Sequence, residues 1–157
     1  MMLERNAAAT AREPAAFEWP LRVYWEDTDA GGIVFYANYL KYFERARTEW
    51  LRSLGMQQQR LLDEAGGMFV VTGAQLRYLR PARLDDELIV TTCLRQGARA
   101  SLTIAQQALR KPGPAAPDAA CPRALLCEGV IRVGWVDART LHPARIPPAL
   151  VQQLTTP

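Results

Sequence analysis

The chain has one histidine, His142, in a Leu-His-Pro run close to its C-terminal end. A Ser-His-Asp or Cys-His mechanism would have to recruit that residue, and no G-x-S-x-G elbow accompanies it. Cysteine is almost as scarce. Cys93, Cys121 and Cys127 are odd in number and lack C-x-x-C spacing, so neither a disulfide framework nor a zinc site is suggested. Reduced thiols in the cytoplasm are expected, with no metal or tightly held cofactor. No stretch approaches the roughly 20 apolar residues of a membrane span, and residues 1–17 lack the apolar core of a signal peptide. A strong excess of one charge is missing too, since 19 basic and 16 acidic residues leave only +3. Without an aromatic-interleaved basic patch, that balance leaves no footprint for nucleic acid. P-loop and G-x-G-x-x-G phosphate cradles are likewise absent.

What remains is ordinary globular material, 49% apolar and 22% charged over 157 residues, enough for one domain and short for two. Residues 1–17 read as a flexible Ala-rich tail and 18–157 as a single domain. Five runs alternate as strands do, at about 19–26, 68–80, 86–96, 99–111 and 123–137. In the last of these Leu125, Cys127, Ile131, Val133 and Trp135 share one alternation. The segment 111–122 carries four prolines and reads as an exposed loop. Residues 57–65 suggest a short helix ended by Gly66-Gly67, and one helical turn is expected in the tail. Strands beside one long helix give an α+β class.

That long helix sits in the stretch 24–55. Asn38 reads as its N-cap, Leu40, Phe43, Ala46, Trp50, Leu51 and Leu54 as its buried face, and Gly55 as its stop. Ahead of it, Asp27 and Asp29 stand at i and i+2 and point the same way in extended backbone. Gly31 and Gly32 let another molecule approach the main chain. A carboxylate beside a helix N-terminus, where unpaired N–H groups favour developing negative charge, is one arrangement for acyl transfer to water. A calcium loop is a poorer reading: counted from Asp27, position 5 is Gly31 and position 12 is Asn38, where oxygen ligands are needed.

The string from Glu26 to Tyr39, EDTDAGGIVFYANY, followed by FERARTE over 43–49, resembles the signature of the 4-hydroxybenzoyl-CoA thioesterase family. It is most similar to the branch of Tol-Pal-associated acyl-CoA thioesterases. The resemblance implies a hotdog fold, an antiparallel β-sheet wrapped around one long central helix. It also implies hydrolysis of an acyl-CoA by the Asp29 carboxylate, either activating water or attacking the thioester itself. The main-chain N–H of Tyr36 would polarise the carbonyl. Many relatives carry histidine at this position. Gly31, Gly32 and Val34 are expected against the substrate, and Arg77 and Arg80, grouped with Arg83, against the phosphates of coenzyme A. Sites shared between subunits imply a homo-oligomer, a dimer or a tetramer.

Other readings attach to the same residues. Asp29 could simply close a turn beside glycine. Glu44 and Glu49 could pair with Arg47 and Arg45 as ordinary helix-surface charges. A hydratase of the same fold would need a His-Asp pair that the lone His142 does not offer. A non-catalytic module binding acyl carrier protein, or associated with the envelope, would keep the fold without turnover.

Overall fold

A computed structural model of the chain describes residues 16–113 and 122–156. Residues 1–15 of the tail expected over 1–17, and residues 114–121 of the proline-bearing loop, lie outside them. β1 (Phe17–Arg22) leads through a 3₁₀ turn at Trp25–Asp27 to α1 (Asn38–Ser53) and α2 (Gln58–Ala65). Then come β2 (Gly67–Tyr78), β3 (Glu87–Gly97), β4 (Ser101–Arg110), β5 (Ala124–Asp137) and α3 (Pro148–Thr155). The strands form one antiparallel sheet in the order β1-β3-β4-β5-β2, so the chain crosses from one edge to the other through the helices.

Two periodicities meet in the core. On α1 the buried residues Tyr39, Tyr42, Phe43, Ala46, Trp50 and Leu51 recur at helical steps and form one stripe. Across the sheet, Val90, Ala108 and Cys127 stand in register on neighbouring strands, and all three are fully buried. α3 adds Leu150 and Leu154 to the same cluster. Register shifts at Val71/Gly73 in β2, Leu94/Gln96 in β3 and Ala108/Leu109 in β4 curve the sheet, as bulges do. Gly129 makes room for α1 on the sheet: a Cβ there would stand 2.8 Å from Phe43 Cε2.

One polar group sits in this contact. Gln106, 1% exposed on β4, donates from Nε2 to the Phe43 carbonyl at 3.0 Å and to Thr92 Oγ at 2.9 Å. Its Oε1 accepts from Arg47 Nη1 at 2.8 Å. Burial pulls the Arg47 guanidinium below the usual arginine value, and the neighbouring Glu44 charge opposes that. The amide is thus satisfied on both sides, as a buried amide must be.

Some expectations give way to the structure. The first strand ends at Arg22 instead of running to residue 26, because the Asp27 carboxylate accepts from the Tyr24 N–H at 2.7 Å and closes a turn. Asn38 is not the N-cap. Ala37 takes that place with helical φ and ψ, and the Asn38 side chain donates instead to the Asp27 carbonyl at 2.8 Å. The surface pairs on α1 also differ: Glu44 accepts from Thr48 at 2.9 Å, Arg47 turns inward, and Glu49 pairs with Arg52. The C-terminal helix is longer than one turn, at eight residues.

Gly129→Ala should destabilise the fold by about 1–3 kcal/mol through overpacking against Phe43. Gly113→Ala, whose added methyl would enter open space, should stay within about 0.5 kcal/mol of the parent. Denaturant midpoints at constant slope read both.

Candidate active site

Residues 28–34 form a miniature hairpin. Thr28 bridges Val34, the Asp29 N–H donates to the Ile33 carbonyl at 2.9 Å, and the Gly32 N–H returns to the Asp29 carbonyl at 3.0 Å. Gly32 has φ +74°, which a side chain would strain. Within the turn, Asp29 Oδ1 accepts from the Gly31 N–H at 2.8 Å. Asp29 therefore does close a turn. That bond uses one carboxylate oxygen, and Oδ2 has no partner among the described residues. A Cβ on Gly31 would come within 3.0 Å of Oδ1 and press on this arrangement.

The hairpin runs straight into α1. The Phe35 N–H donates to the Asp27 carbonyl at 2.9 Å, and the Asn38 N–H to the Phe35 carbonyl at 2.9 Å. Among the described residues the N–H groups of Tyr36 and Ala37 donate to nothing. No side chain caps this end and no acidic residue lies in the first turn, so its partial positive charge is left uncompensated. The Tyr36 carbonyl accepts from the Tyr78 hydroxyl at 3.1 Å, tying the helix entry to the end of β2. The Tyr36 ring, 63% exposed, meets Phe35 at 4.7 Å and the Tyr78 ring edge-on at 6.1 Å.

Behind the hairpin lies Asp27, 9% exposed. The Tyr42 hydroxyl faces its carboxylate without reaching hydrogen-bond geometry, and burial together with the Asp27 charge pushes that phenol well above the ordinary tyrosine value. Tyr39, packed beside it, is pushed up to about 12 by burial, although a bond from the Ala82 main-chain N–H to its phenol oxygen pulls the other way. Both phenols stay protonated at neutral pH.

The structure brings Asp29, Gly31, Gly32 and Tyr36 into one segment. Val34 joins them in sequence, but it is 4% exposed with its N–H on the Ala82 carbonyl at 2.9 Å, so its side chain belongs to the core. Arg77 pairs with Glu128 at 2.6 Å, and both line a concavity of about 740 Å³ on the sheet that neither Asp29 nor Tyr36 borders. Arg80 donates to the Leu125 carbonyl at 3.0 Å. Glu44 and Arg47 border a cavity of about 110 Å³ floored by Trp50, Phe69, Leu102 and Ile104. Cys127 is buried, and burial lifts its thiol to about 12, a setting for packing and not for nucleophilic attack. The inward turn of Arg47 was not legible in the sequence, where its only visible partners were on the helix; the polar Gln106 on an otherwise apolar alternation of β4 was the available signal.

Comparison with known proteins places this geometry in context. A family model described as the thioesterase-like superfamily matches residues 23–154. The chain is 39% identical over 131 residues to an acyl-CoA thioesterase, YbgC, of Haemophilus influenzae, covering 83% of this chain and 88% of that protein. It is 38% identical over 137 residues to the acyl-CoA thioester hydrolase YbgC of Escherichia coli, covering 87% and 94%. Among solved structures, a 4-hydroxybenzoyl-CoA thioesterase superposes with a TM-score of 0.79 over 89% of this chain and 99% of its own, at 18% identity, which speaks to the fold alone. With its antiparallel sheet wrapped on α1 and a match spanning most of its length, the chain belongs to the thioesterase-like superfamily of hotdog proteins.

Proposed function

We propose that the protein hydrolyses an acyl-CoA to a carboxylic acid and free coenzyme A, with Asp29 as the catalytic carboxylate and the Tyr36 main-chain N–H as oxyanion donor. The observation that carries this is the joint state of the two groups: a carboxylate with one unengaged oxygen and, seven residues on, an unengaged N–H at an uncapped helix start. The named activity of the relatives at 38–39% identity points the same way. In the reaction, oxygen from water ends on the acyl carbon, the C–S bond breaks, and coenzyme A leaves as a thiolate that takes up a proton. Asp29 either removes the proton from water or adds to the carbonyl carbon itself, forming an anhydride that water opens. Its free oxygen serves both routes. The negative charge that gathers on the carbonyl oxygen is stabilised by the unengaged Tyr36 N–H at the helix entry.

A second copy of the chain would complete this site. β2 is an edge strand of 12 residues whose outer side has no partner among the described residues. Trp25, 80% exposed, and the exposed Phe35, Tyr36, Leu40 and Tyr78 form an apolar surface around the hairpin. Pairing along such an edge and covering such a patch both favour association. A cytoplasmic setting suits the free Cys93 and Cys127.

Thiol release from short-chain, long-chain and benzoyl-CoA thioesters tests the chemistry. Turnover on at least one should fall by about 10²-fold or more in Asp29→Asn. Asparagine keeps the Oδ1 acceptor for the Gly31 N–H, so the turn survives and the loss reports the charge. Turnover indifferent to this change would sink the mechanism. Tyr36→His should keep kcat within a few-fold because the donor is main chain; a large loss would move the role to the tyrosine ring. Sedimentation at micromolar concentration should give a dimer or tetramer, and a lone monomer would refute the shared site.

A further inference from the structure

We propose that Arg83 anchors the phosphate at the end of the pantetheine arm of the substrate, an assignment that rests on the acyl-CoA reading above. Three main-chain segments run side by side at the hairpin. Asp29 bonds to Ile33, Ile33 bridges Arg83, and the Val34 N–H reaches the Ala82 carbonyl at 2.9 Å. Asp29, Ile33 and Arg83 therefore form one cross-strand row, and residues directly opposed in such a ladder project to the same face. Two inter-strand steps put the Arg83 main chain about 10 Å from that of Asp29. Both side chains leave the ladder on one face, and an arginine is long enough to span part of that separation.

The segment that carries Arg83 is held firmly. Its N–H donates to Asp86 Oδ2 at 2.9 Å, the Asp86 N–H returns to the Arg83 carbonyl at 3.1 Å, and Ala82 next to it is fully buried. Yet the guanidinium is exposed and makes no hydrogen bond or ion pair among the described residues. Several other arginines are committed: Arg77 to Glu128, Arg80 to the Leu125 carbonyl, Arg22 to Glu87 and Arg123 to Glu18. Asp86, the adjacent carboxylate, is shared between the Arg83 N–H and Arg110 at 3.7 Å. An uncommitted fork of donors on a fixed segment suits a phosphate, which takes arginine in a bidentate mode. In an acyl-CoA with its thioester at Asp29, the acyl group and the pantetheine arm carry no anion, and the 5′-diphosphate is the first one met along the arm. Arg83 supplies its counter-charge.

The test compares Arg83→Ala, Arg83→Lys and Arg60→Ala with the parent on one acyl group carried by coenzyme A, by dephospho-coenzyme A lacking the 3′-phosphate, and by pantetheine. In Arg83→Ala, KM should rise about tenfold on the first two with kcat unchanged, as loss of a charged hydrogen bond predicts. Acyl-pantetheine should be indifferent to the change. Lysine should restore part of the loss, and Arg60→Ala, whose arginine pairs with Glu64 on α2, should match the parent. An equal loss on acyl-pantetheine overturns the assignment, and a loss confined to intact coenzyme A moves the contact to the 3′-phosphate and overturns it too. Should the parent turn over no thioester, the hydrolase reading fails separately. Calorimetric binding of coenzyme A to parent and Arg83→Ala then decides Arg83, a tenfold weaker Kd supporting it and an equal Kd refuting it.

Discussion

Asp27 is the group on which this end of the molecule depends. Its carboxylate fixes the Tyr24 N–H, while its carbonyl receives both the Phe35 N–H and the Asn38 amide. Strand exit, hairpin return and helix entry are thereby tied to one residue. Because the Asn38 side chain is spent on that tie, it does not cap α1, and the N–H groups of Tyr36 and Ala37 just ahead of the helix have no partner among the described residues. The site is in this sense a by-product of the knot behind it. A residue with no expected chemistry decides where the one with chemistry stands.

Much of the architecture could be read directly from the chain. The long helix and its length of 16 residues were legible, and Phe43, Ala46, Trp50 and Leu51 of the expected stripe are buried, but Leu40 is 42% exposed and Leu54 only partly buried, because the stripe turns instead through Tyr39 and Tyr42. In β5 the expected burial of Cys127, Ile131, Val133 and Trp135 holds, whereas Leu126, expected on the opposite face from Leu125, is fully buried where the register shifts. What escaped detection was interaction across sequence distance. The tie from Asn38 to Asp27 spans 11 residues, and that from Arg47 to Gln106 spans 59. A local pattern assigns such side chains to the nearest plausible task, a cap or a surface ion pair, because the competing partner is invisible until the sheet is built. The segment proposed as the site was legible to a similar extent. Asp29 and Tyr36 follow from motif and helix start, whereas the neighbourhood of Arg83 depends on a bridge to Ile33 that no spacing announces.

Rigidity and exposure are divided cleanly around the hairpin. Tyr39, Tyr42 and Val34 are buried beneath it, and the ring contacts of Tyr39 with Tyr42 and Tyr78, each at 5.7 Å, brace the helix entry. Above it Asp29 is exposed, and the N–H groups of Tyr36 and Ala37 have no partner among the described residues. Reacting groups held by a packed floor lose little freedom when a ligand arrives, which is the condition for preorganised electrostatics.

The buried amide of Gln106 also acts as a gauge of position. An apolar helix can slide or rotate on an apolar sheet at modest cost, because methyl groups fit many neighbours. Gln106 accepts from Arg47 and donates to Phe43 and Thr92, and these contacts coincide at one setting of α1 along the strands. Any other setting would strand a polar group in a dry contact. Since α1 follows directly on the hairpin, a vernier far down the helix shaft fixes where its tip meets the segment that carries the proposed donor at Tyr36. Arg47, Gln106 and Thr92 are consequently replaceable as a set and not one at a time.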